Sequence, residues 1–356
     1  MDKVLIKDIA EVVNGSTPST KENSYWDGNI PWITPKDLSA FSGRYISSGE
    51  RNITKEGYQS CSTTLVPKNT ILLTSRAPIG YLAIAKNDLC TNQGFKSLIC
   101  NQSRILPLYM FYWLSTKIEF LKSISGGATF KELSKTSLEN VVMDLPNIVR
   151  QQHIVDTIGS VDSLIELNQE KISKIKNLAA QKYELLYKTY PKSAIGKRLK
   201  FIKGKQPKFA SKEDGEPYLI IDDLASNIHT QFSSEGLVCD ENDVLMVMDG
   251  ASSGKVFTGN KGYVGSTLAK LSSPQIKPSI LYFGLSKFEE EIMKNTTGSA
   301  IPHTDKSFVS ELRIVDDLDD KTTDFFNFCL NQICNLRTQN SLLSIQKEIL
   351  LQKYFH

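Results

Sequence analysis

The sequence predicts a duplicated fold of the α/β (α+β) class, with two globular units that are each followed by one long helix. Three observations lead there. At 356 residues the chain is about twice the size of a common single domain. A series of short landmarks recurs in the same order at a spacing of roughly 170 to 190 residues. Two long stretches carry apolar residues at heptad spacing.

The landmarks begin with a loop, Gly15-Ser-Thr-Pro18 and then Gly204-Lys-Gln-Pro207. Asp27-Gly28-Asn-Ile-Pro31-Trp32 is answered by Asp214-Gly215-Glu-Pro217-Tyr218, and both run on to an Asp-Leu pair, Asp37-Leu38 and Asp223-Leu224. Apolar strands then enter small-residue turns at Ile71–Gly80 and Val244–Gly254. Pro107 and Pro278 each open a helix with aromatic and aliphatic residues, as expected of proline at a first helical position. Gly126-Gly-Ala128 matches Gly298-Ser-Ala300, and Lys135–Leu138 with Val141–Met143 match Lys306–Val309 with Leu312–Ile314. Short apolar runs at Thr70–Thr74, Tyr81–Ala85, Lys96–Cys100 and Val244–Met248, bounded by Gly, Pro, Asn and Asp, read as strands. Helices are expected near 107–122 and 278–294.

Between Pro146 and Pro191 the only glycine is Gly159. Ile154, Val161, Asn168, Ile175 and Lys182 fall every seven residues, as do Leu164, Lys171, Leu178 and Leu185, beside a column of Ile158, Ile165, Ile172, Ala179 and Leu186. The second stretch carries Phe326, Cys329, Ile333, Leu336, Asn340, Leu343, Leu350 and Tyr354 at spacings mostly of three and four. Roughly 36 to 40 helical residues make a rod of about 55 to 60 Å, too long to fold back into one domain, so each rod is expected to pair with the other. Asn168 and Asn340 fall on the seams, where an amide costs stability but can set register.

Hydrophobic residues at 40% and charged residues at 23% exclude a disordered or collagen-like chain. No apolar run approaches the roughly 20 residues of a membrane span, and no apolar leader follows the N-terminus, so a cytoplasmic protein is expected. The six cysteines, Cys61, Cys90, Cys100, Cys239, Cys329 and Cys334, form no C-x-x-C pair and are expected reduced; no metal ligand set is expected.

The net charge of +3 says little, but its placement says more. Each rod balances its charges, five against five in Gln151–Tyr190 and four against four in Asp319–His356. The excess therefore lies in the globular units, most densely as Lys197, Arg198, Lys200, Lys203, Lys205 and Lys208 around the second loop, a composition suited to phosphate contact. Loop residues able to meet phosphates or base edges are Trp26, Lys36, Arg44, Ser75, Arg76, Gln93, Phe95 and Lys131 in the first unit. In the second they are Lys203, Lys205, Gln206, Lys208, Ser252, Ser253, Lys255, Lys261, Ser266 and His303.

Catalytic motifs are missing. Gly250-Ala-Ser-Ser-Gly254-Lys255-Val256 falls short of a phosphate-binding P-loop by one residue between the glycines, and Val256 stands where Ser or Thr is required. No G-x-G-x-x-G and no Pro-Pro dipeptide occurs, so the Asn-Pro-Pro-Tyr loop of amino-methyltransferases is absent. No catalytic residue and no cofactor is therefore expected.

Taken together, the Gly15–Pro18 loop, Ile30-Pro-Trp-Ile-Thr-Pro-Lys-Asp-Leu38, Thr74-Ser-Arg-Ala-Pro-Ile-Gly80, Asn92-Gln-Gly-Phe95 and Leu145-Pro146 followed by Gln151-Gln152 give the chain a resemblance to the DNA-specificity subunits of type I restriction-modification enzymes. The resemblance implies two target recognition domains, 1–149 and 192–317, each reading one half of a split site on double-stranded DNA. It implies spacer helices at 150–191 and 318–356 forming an antiparallel coiled coil. It also implies partners: two methyltransferase subunits, which carry S-adenosylmethionine and modify adenine, and restriction-translocase subunits for cleavage. The second half departs from the first, with Asp316-Asp-Leu-Asp-Asp320 in place of the Gln-Gln pair and a different loop, so the two halves are expected to read different sequences. The alternative is a non-catalytic coiled-coil scaffold whose globular units bind peptides or proteins.

Overall fold

The computed structural model describes the chain except Met1, Ala40, Ser42, residues 128–130, Asn227, Ser299, Ala300 and the side chain of Ser226. Two compact units result: unit 1 is Met1–Val161 with Lys347–His356, and unit 2 is Asp162–Gln346. The matched Ala128 and Ala300 lie outside the described residues.

In unit 1, β1 (Asp2–Leu5) is followed by β2 (Ala10–Asn14), β3 (Trp26–Ile33), β4 (Tyr45–Ile46), β5 (Arg51–Ile53), β6 (Ile71–Ser75), β7 (Ile79–Ala85), β8 (Cys90–Thr91), β9 (Phe95–Cys100) and β10 (Val142–Leu145). Among the described residues these make a main sheet of order β2-β9-β6-β7-β4, a smaller sheet of order β5-β3-β8 and the pair β1-β10. The centre of the main sheet is dry: Ile71, Leu72, Leu73 and Leu98 are fully buried, giving the continuous apolar run expected of a strand covered on both faces. Helices Pro107–Ser115 and Ile118–Ser123 cover it, where the sequence suggested one helix. The Lys117 amide closes the first onto the Leu114 carbonyl at 2.9 Å before the second begins. Tyr109 through Leu114 are all buried here, together with Ile154, Val155 and Ile158 of the first long helix. Leu350, Leu351, Tyr354 and Phe355 of the chain's last turns pack on the same core.

Unit 2 repeats the plan. Its strands are β11 (Ser193–Ala194), β12 (Lys200–Lys203), β13 (Glu216–Leu219), β14 (Phe232–Ser233), β15 (Val238–Cys239), β16 (Val244–Val247), β17 (Val256–Phe257), β18 (Gly262–Val264), β19 (Leu268–Ser272), β20 (Thr296–Thr297), β21 (His303–Thr304) and β22 (Arg313–Ile314). The main sheet runs β12-β19-β16-β17, the smaller one β14-β13-β18-β15, and β11 pairs β22. Each smaller sheet contains one parallel pair, β3 with β8 and β13 with β18. Helices Pro278–Lys287 and Glu289–Lys294 cover the sheet, again as two pieces.

The duplication holds at single residues. A Cβ on Gly15 would lie 2.2 Å from the Thr91 carbonyl oxygen, and one on Gly204 would lie 2.1 Å from that of Val264. Neither position can hold a side chain without moving backbone. Gly80 and Gly254 share positive φ, 112° and 97°, and both sit against an isoleucine of the covering helices, Ile118 and Ile292. Strand pairing corrects one match: Gly126 pairs Glu132 as Thr297 pairs His303, so it is Gly127, with φ 111°, that corresponds to Gly298, with φ 88°.

The long helices are Ile148–Thr189 and Asp320–Phe355. Within unit 2 they run antiparallel: the Tyr183 ring lies 5.9 Å from that of Phe326, while Asn168 meets Asn340. The first seam differs from the expected one. Val161, Asn168, Ala179, Tyr183 and Leu186 are buried, with Ile165, Ile172 and Ile175 half-buried, but Leu164, Leu178 and Leu185 are 49%, 55% and 64% exposed. Three apolar columns cannot all face one partner helix, and this leucine column faces outward. On the second helix the expected positions Phe326, Cys329, Ile333, Leu336 and Asn340 are buried.

Candidate nucleic-acid interface

One edge of each main sheet gathers the loops that carry the candidate residues. In unit 1 the loop after β2 is drawn in by close backbone approach at Gly15, with the Ser16 amide on the Thr91 carbonyl at 3.0 Å. Trp32 Nε1 donates to the Ser16 carbonyl at 3.0 Å and Trp26 Nε1 to that of Ser19 at 3.1 Å. The Thr17 hydroxyl donates to Gln93 Oε1, joining this loop to the β8–β9 loop. The Ser75 amide bonds the Gly94 carbonyl at 2.7 Å, and the Leu133 amide bonds the Ser75 carbonyl at 2.9 Å, which adds the β6–β7 turn and the antiparallel bridge of Gly126 with Glu132, the hairpin residue of this unit. Gln93 and Lys131 are exposed and Arg76 half-exposed along this edge.

Unit 2 builds the same edge from equivalent atoms. Tyr218 takes the place of Trp32, its hydroxyl donating to the Lys205 carbonyl at 2.9 Å and accepting the Ser266 amide at 2.8 Å. The Met248 amide bonds the Thr267 carbonyl at 2.8 Å, and the Thr304 amide bonds the Met248 carbonyl at 2.9 Å. By this register Ser266 corresponds to Gln93, Asp249 to Arg76 and His303 to Glu132.

Charge concentrates where turn and hairpin meet. Glu132 lies 3.7 Å from Arg76 Nη1 and 3.5 Å from Lys96 Nζ, and Lys96 is otherwise buried on β9. Asp249 is held by Lys203 Nζ and by His303 Nδ1, each at 2.7 Å. Burial raises the Asp249 carboxyl, but hydrogen bonds from Lys203 and His303 outweigh it and leave the group below its ordinary value. Glu132, Lys96 and Asp249 escape a reading of the sequence because a lone acid in a turn or a lysine in a strand carries no pattern. Only the strand register brings them together.

The other candidates separate into distinct surroundings. Trp26, Ser75, Phe95 and Ser253 are buried and offer no surface to a duplex. Trp26 stacks edge-on against Trp32 at 5.1 Å with Arg51 over its ring at 3.6 Å, while the Ser253 hydroxyl donates to the carbonyls of Gly250 at 2.7 Å and Pro302 at 2.9 Å. Arg44 lies against the first long helix, its guanidinium 3.4 Å from the Tyr112 hydroxyl. Lys261 sits by His229, Glu241 and Thr338, away from the edge. Lys36 is exposed and paired with Glu50 at 2.8 Å, and Lys208 with Glu235 at 2.8 Å. Lys205 and Gln206 are exposed on the β12–β13 loop; Ser252 and Lys255 are half-buried in the β16–β17 turn.

All six cysteines are free thiols. Burial pushes Cys90 up to about 11, and Cys100 and Cys239 up to about 12, which keeps these thiols protonated and unreactive at neutral pH.

The same loop edge is thus built twice, once on the main sheet of each unit. Residues 1–177, just under half of the chain, match the type I restriction modification DNA specificity domain family. It is 49% identical over 181 residues, half of this chain, to the type I restriction enzyme MjaIX specificity subunit of Methanocaldococcus jannaschii, and 29% identical over 185 residues to the EcoR124I/EcoR124II specificity subunit of Escherichia coli. The matched stretches span 42% and 45% of those relatives, less than half of each. The crystal structure of a type I restriction-modification system S subunit from M. genitalium shares the fold over all of this chain and 96% of its own, with a TM-score of 0.56 at 17% identity. Unit 2 thus shares the fold while the family match ends at residue 177. Among the described residues no helix is long and apolar enough to cross a membrane.

Proposed function

We propose that this chain is a non-catalytic subunit that gives a cytoplasmic type I restriction-modification system its DNA sequence specificity. Recognition domains at 1–149 and 192–317 each bind one half of a bipartite, asymmetric site, and helices at 150–191 and 318–356 serve as spacers. The observation that carries the reading is the loop edge built twice from equivalent hydrogen bonds, with Gln93, Arg76 and Lys131 on one copy and Ser266, Lys205 and His303 on the other. Cations there can position phosphates, while amide, hydroxyl and guanidinium groups can meet base edges. The subunit brings no cofactor of its own. Two methyltransferase subunits dock on the helices, where Leu164, Leu167, Leu178 and Leu185 stand exposed, and restriction-translocase subunits join for cleavage.

The test is adenine-methylation mapping of DNA from cells expressing the chain with a type I methyltransferase, against cells lacking the chain, together with binding at several salt concentrations. A new motif of two unlike halves around an unspecified spacer is expected, with affinity falling steeply as salt rises. An unchanged methylation pattern with salt-insensitive binding would sink the reading in favour of a protein-binding scaffold.

A further inference from the structure

The polar pair joining turn to hairpin occurs in both units, but with the acid on opposite sides. In unit 1 the turn residue Arg76 is the donor side and the hairpin residue Glu132 the acid; in unit 2 the turn residue Asp249 is the acid and the hairpin residue His303 its Nδ1 partner. The equivalence follows from backbone bonds alone, since the residue before each turn position, Ser75 or Met248, accepts from the hairpin residue after each partner, Leu133 or Thr304. The third member of each cluster is a lysine at neighbouring positions of one strand pair. Lys96 on β9 lies opposite Asn14, and Lys203 on β12, at the position of Asn14, lies opposite Ala269, at the position of Lys96. The lysine has crossed to the partner strand while still reaching the acid.

We infer that this turn–hairpin pair is a specificity determinant, and that its opposite polarity makes the two half-sites differ. Resting on the DNA-recognition reading, the inference assigns Arg76 to an acceptor edge such as guanine and Asp249 to an exocyclic amine of cytosine or adenine. The chemistry fits the geometry. Arg76 Nη1 stands 3.7 Å from Glu132, an ion-pair contact longer than a hydrogen bond, so the guanidinium keeps a fork of donors for the O6 and N7 of guanine. Each Asp249 oxygen takes one bond, Oδ2 from Lys203 and Oδ1 shared with His303, leaving lone pairs for an amine donor. The side chains of Arg76 and Glu132 are 40% and 43% exposed and those of Lys203 and His303 50%, while Asp249 is 22% exposed and set between its two partners.

The experiment is selection from a randomised duplex library with the full-length chain, for the unchanged protein, Arg76→Gln, Asp249→Asn and the polarity exchange Arg76→Asp with Glu132→His; circular dichroism monitors folding. Expected are losses of base preference of about five- to hundredfold, confined to one half of the motif for Arg76→Gln and to the other half for Asp249→Asn. The polarity exchange restores a preference in the first half, moved from guanine to a base bearing an amine. If the exchange keeps guanine, or if affinity falls while every preference survives, the pair only locks the loops and the inference is overturned. A bipartite motif for the unchanged chain with unaltered motifs in all folded variants also overturns it alone, whereas absence of any bipartite motif from the unchanged chain overturns the recognition reading with it.

Discussion

Asn168 Nδ2 donates to Asn340 Oδ1 across 2.9 Å, and Asn340 Nδ2 reaches the Ile165 carbonyl at 3.3 Å. Both amides are buried on the seam of unit 2, at 7% and 8% exposure. A buried amide keeps its place only with its partner, so this pair rewards one register and penalises a slip by a heptad.

Asn168→Leu alone is therefore expected to destabilise the chain by about 1–3 kcal/mol, because Asn340 Oδ1 loses its donor in a buried seam. The double change Asn168→Leu with Asn340→Leu is expected to recover most of that loss. Urea unfolding of the four proteins of the cycle measures the coupling. Additive losses would show that the two amides act separately.

The close-approach glycines make a sharper contrast. Gly15→Ala and Gly204→Ala each place a methyl about 2 Å from a backbone carbonyl and are expected to cost about 2 kcal/mol or more, since a loop must move. Gly126→Ala meets nothing within 4 Å and is expected to stay within about 0.5 kcal/mol. Thermal unfolding ranks the three, and a tolerated Gly204→Ala would mean the loop is looser than its packing indicates.

These positions show what the sequence could and could not reveal. Gly15 and Gly204 stand out because a bare backbone is the one thing their loop tolerates, and Gln93 and Ser266, both loop residues by sequence, occupy equivalent positions. Trp26 and Phe95 are core residues instead, because aromatic residues beside loops suit stacking on bases and filling a core equally well: Trp26 packs with Trp32 and Ile53, and Phe95 with Leu72 and Ala83. The leucines at 164, 178 and 185 misled because heptad spacing on two sides of a helix does not say which side is covered. Glu132 and Asp249 depend on pairing between strands far apart in the chain, which local spacing does not encode.

Tyr183 ties the first long helix to the residue just after β22: its hydroxyl donates to the Val315 carbonyl at 3.2 Å and accepts the Val315 amide at 3.0 Å. Burial, the larger influence, pushes this phenol far above its usual range. Tyr183→Phe keeps the ring against Phe326 but strands both backbone groups, and a loss of about 1–3 kcal/mol is expected in denaturant unfolding. An unchanged midpoint would show that water replaces the hydroxyl.

His229 supplies the pH dependence. Burial lowers its imidazole below the ordinary 6.5, the Asp223 carboxylate opposes that, and the Arg337 guanidinium reinforces it. Arg337 is itself buried, donating to the carbonyls of Leu224 and Thr258, so its charge stays close. A histidine held neutral in the folded chain is protonated more readily once unfolded. The stability it contributes is therefore complete above pH 6.5 and is lost as pH falls from there toward the lowered folded value. His229→Leu should flatten the stability profile between roughly pH 7 and pH 5 relative to the unchanged protein, as read by urea midpoints at half-unit steps. If the variant and the unchanged chain lose stability in parallel over that window, the slope belongs to other groups and His229 is already solvated.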